Sequence, residues 1–203
     1  MKLYDGGRAP NPRRVRIFLT EKGIVVPVSP VDMAAREHVS TAMIALNPLG
    51  ELPFLELDDG TIITETMAIC RYFEGLHPMP ALFGQTPVEI ATIEMWHRRV
   101  ELRLFGAVAA AFRHTHPAMA ISEVPQIAEW GEANRSKALA AMHMLDRQLE
   151  LHPFICGKHI SVADITAMVA LDFTKPAKIA IPENLSHLNA WYAAMKARPS
   201  AMA

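Results

Sequence analysis

Apolar positions in the first 76 residues change period several times, whereas those beyond residue 86 keep a helical one. Lys2-Leu3-Tyr4 reads as a short strand. Asn11-Pro12 opens a helix carrying Val15, Ile17, Phe18 and Leu19 and stopping at Gly23. A proline is well placed there, because its missing N–H would have had no helical partner. Ile24 to Val28, short and β-branched, predicts a second strand. Val39, Met43, Ile44 and Leu46 predict a helix over 36–46, closed by Asn47-Pro48-Leu49-Gly50. Two runs, Leu52 to Leu57 and Thr61 to Thr64, flank Asp58-Asp59-Gly60, and an Asp-Gly pair between such runs marks a hairpin. A third helix follows from Glu65 to about residue 74. The order is that of an α+β unit, βαβ joined to ββα.

A proline-rich stretch over 77–86 reads as the linker, and 87–203 as an all-α domain, a helical bundle. Ile90, Ile93, His97, Val100, Leu104, Ala107 and Ala111 predict one long helix, and Ile127 to Leu149 its antiparallel partner. Ser161-Val162-Ala163-Asp164 has the spacing of a capping box, with Ile160 and Ile165 at the staple positions. A last helix is predicted from about Pro182 to Arg198.

Charge narrows the partners. With 20 Lys+Arg against 21 Asp+Glu the net charge is −1, so no global field points to nucleic acid or a membrane surface. No run of about 18 apolar residues spans a bilayer, and the amino terminus enters a strand pattern with no signal peptide. Cys70 and Cys156 form no metal motif and no disulfide framework, and each sits among apolar neighbours. The expectation is a cytoplasmic protein with reduced core thiols and no bound metal.

Two short segments carry candidate chemistry. Pro53 opens a strand, either as a trans proline at a sheet edge or as a cis proline that turns the Leu52 backbone outward toward a peptide ligand. Thr64-Glu65-Thr66 begins a helix. It is either an ordinary acidic first turn or a site where the Thr66 N–H and hydroxyl hold a carboxylate while Glu65 pairs with an ammonium.

Taken with Leu3-Tyr4-Asp5, Arg13-Arg14-Val15-Arg16-Ile17, Glu21-Lys22-Gly23-Ile24, the run Leu46 to Leu55, Asp58-Asp59-Gly60-Thr61, Glu65 to Ile69, Gly157, the Ser161 box, Trp191-Tyr192 and Arg198-Pro199-Ser200, these segments resemble the cytosolic glutathione transferase superfamily over essentially the whole chain. Trp96 to Leu102 looks most like the branch that includes a yeast glutathione transferase and many bacterial relatives. The resemblance implies a thioredoxin-like domain over 1–76 that holds glutathione and a helical domain over 87–203 that lines the pocket of a small apolar electrophile. It implies glutathione as co-substrate with no further cofactor, a role in detoxification, and a homodimer. By position, Glu65 and Thr66 take the γ-glutamyl end, Leu52 pairs with the cysteinyl backbone beside Pro53, and His38 and Glu51 lie near the glycine end. Glu51 departs from the Gln or Lys of relatives, and its carboxylate would repel the glycyl carboxylate unless it turns away or His38 offsets it.

The usual catalytic Tyr, Ser or Cys is missing: Asp5 to Pro12 contains none. The open sources of thiolate stabilisation are the first-helix amino terminus, the Asn11 amide, a local arginine field from Arg8, Arg13, Arg14 and Arg16, and His114 or His116 acting directly or through a water. Of these, Asn11 with the helix dipole, assisted by His114, is the catalytic expectation. The alternative is a non-catalytic binding module of the same fold.

Overall fold

Strand β1, Lys2–Asp5, is the spine of the first unit. It pairs parallel with β2, Val28–Pro30, and antiparallel with β3, Phe54–Glu56, which pairs antiparallel with β4, Ile62–Ile63, so the sheet order is β2-β1-β3-β4. Helix α1, Pro10–Glu21, crosses from β1 to β2; α2, Thr41–Leu46, lies between β2 and β3; α3, Thr66–Leu76, follows β4. This computed structural model describes every residue, Met1–Ala203.

Strand pleating divides the apolar residues of this sheet between two faces. Tyr4 and Phe54 are directly paired and their rings stack at 4.2 Å, in a cluster with Val31 and Leu52 covered by Met43 and Leu46 of α2. Leu3 and Leu55 alternate to the other face, where the fully buried residues of α1 and α3 include Ile17, Phe18, Ile69 and Phe73. Tyr4 is thus a core residue; its hydroxyl donates to Glu56 at 2.8 Å.

Three sequence boundaries move for local reasons. The second strand, expected over residues 24–28, begins only at Val28, because Gly23 at φ 65° and the Ile24 N–H, bonded to Leu19 O, are used to close α1. Val25 is left 94% exposed. The helix expected over 36–46 is broken: Arg36 at φ 58° opens a short 3₁₀ turn, Glu37–Val39, and Ser40 then caps α2 by accepting the Met43 N–H. The last helix, α8, is Ser186–Lys196 and starts after residue 182, since the Asn189 side chain donates to Pro182 O and Leu185 O and holds that stretch as a turn.

The second unit is Leu82–Arg198, and the first is Met1–Ala81 together with Pro199–Ala203. The final five residues, expected in the helical domain, are held instead on α1: Arg13 donates to Ala201 O at 2.9 Å and the Ser200 hydroxyl to Glu21. Leu82 and Phe83, expected in the linker, are buried and belong to the helical unit, where Leu82 O accepts the Val162 N–H. In that unit α4, Pro87–Arg99, continues through a π-helical turn, Val100–Phe105, into α5, Gly106–Thr115. Helix α6, Ala128–Leu151, returns against α5. Gly131 makes room for this contact, since a Cβ there would stand 2.5 Å from Thr115 Cγ2. Helix α7, Val162–Thr174, is the centre of the bundle, with every residue from Val162 to Leu171 buried. No helix is long and apolar enough to cross a membrane.

Candidate functional site

Register brings the candidate residues of the first unit to one end of its sheet. Tyr4 faces Phe54 and Leu55 faces Ile63. The end of β1, the start of β3 and the end of β4 therefore lie side by side. Leu52-Pro53 enters at that edge, Glu65-Thr66 leaves from it, and the loop to α1 begins there. Strand β2 ends there too, because Asp5 pairs with Pro30, and Val31 N–H is bonded to Asp5 O.

The Leu52–Pro53 bond is cis. Buried Asn47 fixes the approach to it, donating from Nδ2 to Glu51 O at 2.8 Å and accepting the Leu49 N–H at 3.2 Å. Leu52 then makes none of the backbone bonds its neighbours make: Gly50 N–H is bonded to Asn47 O and Phe54 lies in the β1–β3 ladder. An N–H and a C=O at a sheet edge are thus left open for an extended ligand. Gly50, at φ 61°, packs so closely that a Cβ would meet Val39 at 3.0 Å and the His38 carbonyl at 3.5 Å. The sequence-distant His38 is thereby brought beside the Gly50–Pro53 turn. Its ring Nδ1 is buried with no hydrogen-bond partner in the protein. Glu51 is exposed, with its backbone carbonyl held by Asn47.

Glu65 stands at φ 67°, ψ 125°, a backbone region that L-residues rarely adopt. Its carbonyl still accepts the first α3 bond, from Ile69, but no side chain caps the helix. The first N–H groups of α3 remain free at the positive end of its dipole, beside the buried Thr66 and the exposed Glu65 carboxylate. Strain of about 1–3 kcal/mol persists only where the surroundings enforce it.

Sequence reasoning missed Asp5. Only 3% exposed, it accepts the Gly7 N–H at 2.6 Å and pairs with Arg16 at 2.5 Å, while Arg16 also donates to Gly7 O at 3.0 Å. The ring so formed fixes the β1–α1 loop and withdraws Arg16 from any field on a ligand. Gly6 in that loop lies against Met33 and Leu52, where a Cβ would stand 2.6 Å from the Met33 sulfur and displace that side chain. An acid and an arginine at i and i+11 around a Gly-Gly pair was the signal available.

Asn11 lies in the first turn of α1, whose N-cap, Ala9, offers no side-chain cap. Its amide oxygen accepts from Arg14 at 3.2 Å. His114 is differently occupied. It sits at the end of α5 in the helical unit, where Nδ1 accepts the Ile127 N–H at 3.0 Å and Nε2 lies 3.5 Å from Glu123. The bond at Nδ1 ties the α5–α6 connection. His116 Nδ1 likewise accepts the Ala118 N–H. Both cysteines are free, and burial pushes each thiol up to about 12, which leaves them protonated and unreactive.

The chain is similar to known proteins over its whole length. Residues 9–76 match the family model of the glutathione S-transferase N-terminal domain, and residues 109–199 that of the C-terminal domain. Glutathione S-transferase 2 of Saccharomyces cerevisiae is 40% identical over 203 residues, covering 98% of this chain and 87% of that protein. The crystal structure of yeast Gtt2 superposes with a TM-score of 0.94, at 40% identity, over 100% of this chain and 99% of the other. That of a glutathione S-transferase domain-containing protein from Marinobacter aquaeolei VT8 does so with a TM-score of 0.95, at 42% identity, over 98% and 99%.

Proposed function

The chain belongs to the glutathione S-transferase family and is a glutathione transferase; on that premise we propose how its first unit holds and activates the tripeptide. The convergence of an open Leu52 backbone and an uncapped α3 at one sheet edge carries the reading. The γ-glutamyl carboxylate is received by the free N–H groups and hydroxyl of Thr66, and its ammonium by Glu65. The cysteinyl N–H and C=O pair with Leu52 beside Pro53. His38, with an unpartnered ring nitrogen, faces the glycyl end, while exposed Glu51 swings into solvent to avoid the glycyl carboxylate.

The sulfur then belongs at the start of α1. A free thiol near pKa 8.5 must fall by about two units to be largely ionised at neutral pH, which needs roughly 2.7 kcal/mol. A hydrogen bond to an ion contributes about 1.5–3 kcal/mol, and a helix amino terminus about 0.3–1. The Asn11 amide and the α1 dipole together reach that sum without a hydroxyl or thiol. His114 holds the Ile127 N–H through Nδ1, which leaves Nε2 as the ring atom for the water-mediated assistance expected of it. The thiolate attacks a small apolar electrophile. The missing hydroxyl or thiol points to the non-catalytic alternative, but the relatives named glutathione S-transferase outweigh it. Detoxification in the cytoplasm by a homodimer completes the proposal, and a monomeric mass in solution scattering would remove the dimer.

Calorimetric titration with reduced glutathione tests the reading. Binding should weaken by about 10- to 100-fold in Glu65→Ala, the range of a charged hydrogen bond. Equal affinity in the two proteins would place the γ-glutamyl end elsewhere.

A further inference from the structure

The first turn of α1 is unusually poor in donors. Pro10 and Pro12 have no N–H, and that of Arg13 is bonded to Ala9 O at 3.3 Å. Asn11 is left as the one residue of this turn whose main-chain N–H is unused inside the protein, and its side-chain amide adds a second donor. A primary amide has two unlike ends, however. Turned one way it donates to an anion, and turned the other it presents an oxygen that repels one.

Arg14 settles which way it turns. One helical turn on, its Nη1 donates to Asn11 Oδ1 at 3.2 Å. A guanidinium carries donors only, so the amide must offer it oxygen and aim its NH₂ group away. Arg14 is itself 2% exposed, within the packed side of α1, and cannot swing off into water as a surface arginine would.

We propose that Arg14 is a positioning residue for the conjugation reaction, holding the Asn11 amide so that Nδ2 and the main-chain N–H of Asn11 receive the glutathione thiolate together. The inference rests on the reading of Asn11 given above. Arg14 acts through Asn11, not by its own charge, and this separates it from the arginine field expected of Arg8, Arg13, Arg14 and Arg16.

A double-mutant cycle read on the bound thiol distinguishes the two. The pKa of enzyme-bound glutathione is measured by thiolate absorbance in the unaltered protein, Asn11→Ala, Arg14→Met and the double variant, with calorimetry confirming that each still binds the tripeptide. Each single change should raise that pKa by about one unit or more, the range of a hydrogen bond to an ion. The double variant should lie no higher than Asn11→Ala alone, since a group acting through Asn11 has nothing left to act on. A shift from Arg14→Met that persists in full in the Asn11→Ala background, or no shift from Arg14→Met while Asn11→Ala shifts, overturns the positioning role and leaves the Asn11 reading standing. An unmoved pKa in Asn11→Ala overturns both. Should Arg14→Met not fold, Arg14→Ala, which leaves room for water, takes its place in the same cycle.

Discussion

Helices α7 and α3 begin in opposite ways. At α7, Asp164 is fully buried and accepts from the Ile155 N–H, the Ser161 N–H, the Ser161 hydroxyl and the Trp191 indole, at 2.8–3.1 Å. At α3, Glu65 sits in strained backbone, no side chain caps the first turn, and the carboxylate stands in solvent. A similar contrast holds between α4 and α1. In the second unit α4 closes its start with a Thr86–Glu89 capping box, whereas α1 in the first starts from Ala9 with two prolines and no cap. Helix starts closed by their own side chains serve stability. The open starts of α3 and α1 keep donors and dipole available to a ligand.

If that contrast holds, the largest effect on stability belongs to α7. Asp164→Ala strands four donors in the core and should destabilise the protein by about 3–5 kcal/mol, measured by chemical denaturation. The same carboxyl gives a pH signature. Burial, outweighing those hydrogen bonds, pushes it up to about 6 from an ordinary 3.8. The folded protein then holds this proton more tightly than the unfolded chain does. Its contribution to stability should fall as pH rises from about 4 to about 6 and level off above. In Asp164→Asn that slope should vanish from a pH series of denaturation midpoints.

A smaller change at α3 should separate stability from binding. Glu65→Gly relieves the positive φ and should raise stability by about 1 kcal/mol in thermal denaturation, while glutathione affinity falls. Loss of stability in this variant would mean that α3 is not strained for its ligand and that the contrast between the two helices is misdrawn.

Much of this was legible in the chain. Asp-Gly at 59–60 placed the hairpin, Ser161 and Asp164 marked the α7 box, and Leu52-Pro53 with Glu65-Thr66 marked the candidate ligand edge. Thr86-Pro87-Val88-Glu89 has the spacing of a capping box and was readable in the same way. What was not legible depends on pairing between distant residues. Nothing local separates Arg16, bound into the Asp5–Gly7 ring, from Arg14, turned onto Asn11. The short strand β2 was misplaced because the closing of α1 consumes Gly23 and Ile24, and a β-branched run alone does not reveal that. The bond from the Ile127 N–H to His114 likewise spans a loop whose path the sequence does not disclose.

The most direct test of the account is a crystal structure of the protein with reduced glutathione. It should show the γ-glutamyl carboxylate on the Thr66 N–H, the cysteinyl backbone paired with Leu52, and the sulfur within hydrogen-bonding distance of Asn11 Nδ2. A tripeptide bound away from the α3 start, or a sulfur directed away from α1 with the Asn11 amide turned elsewhere, would contradict it.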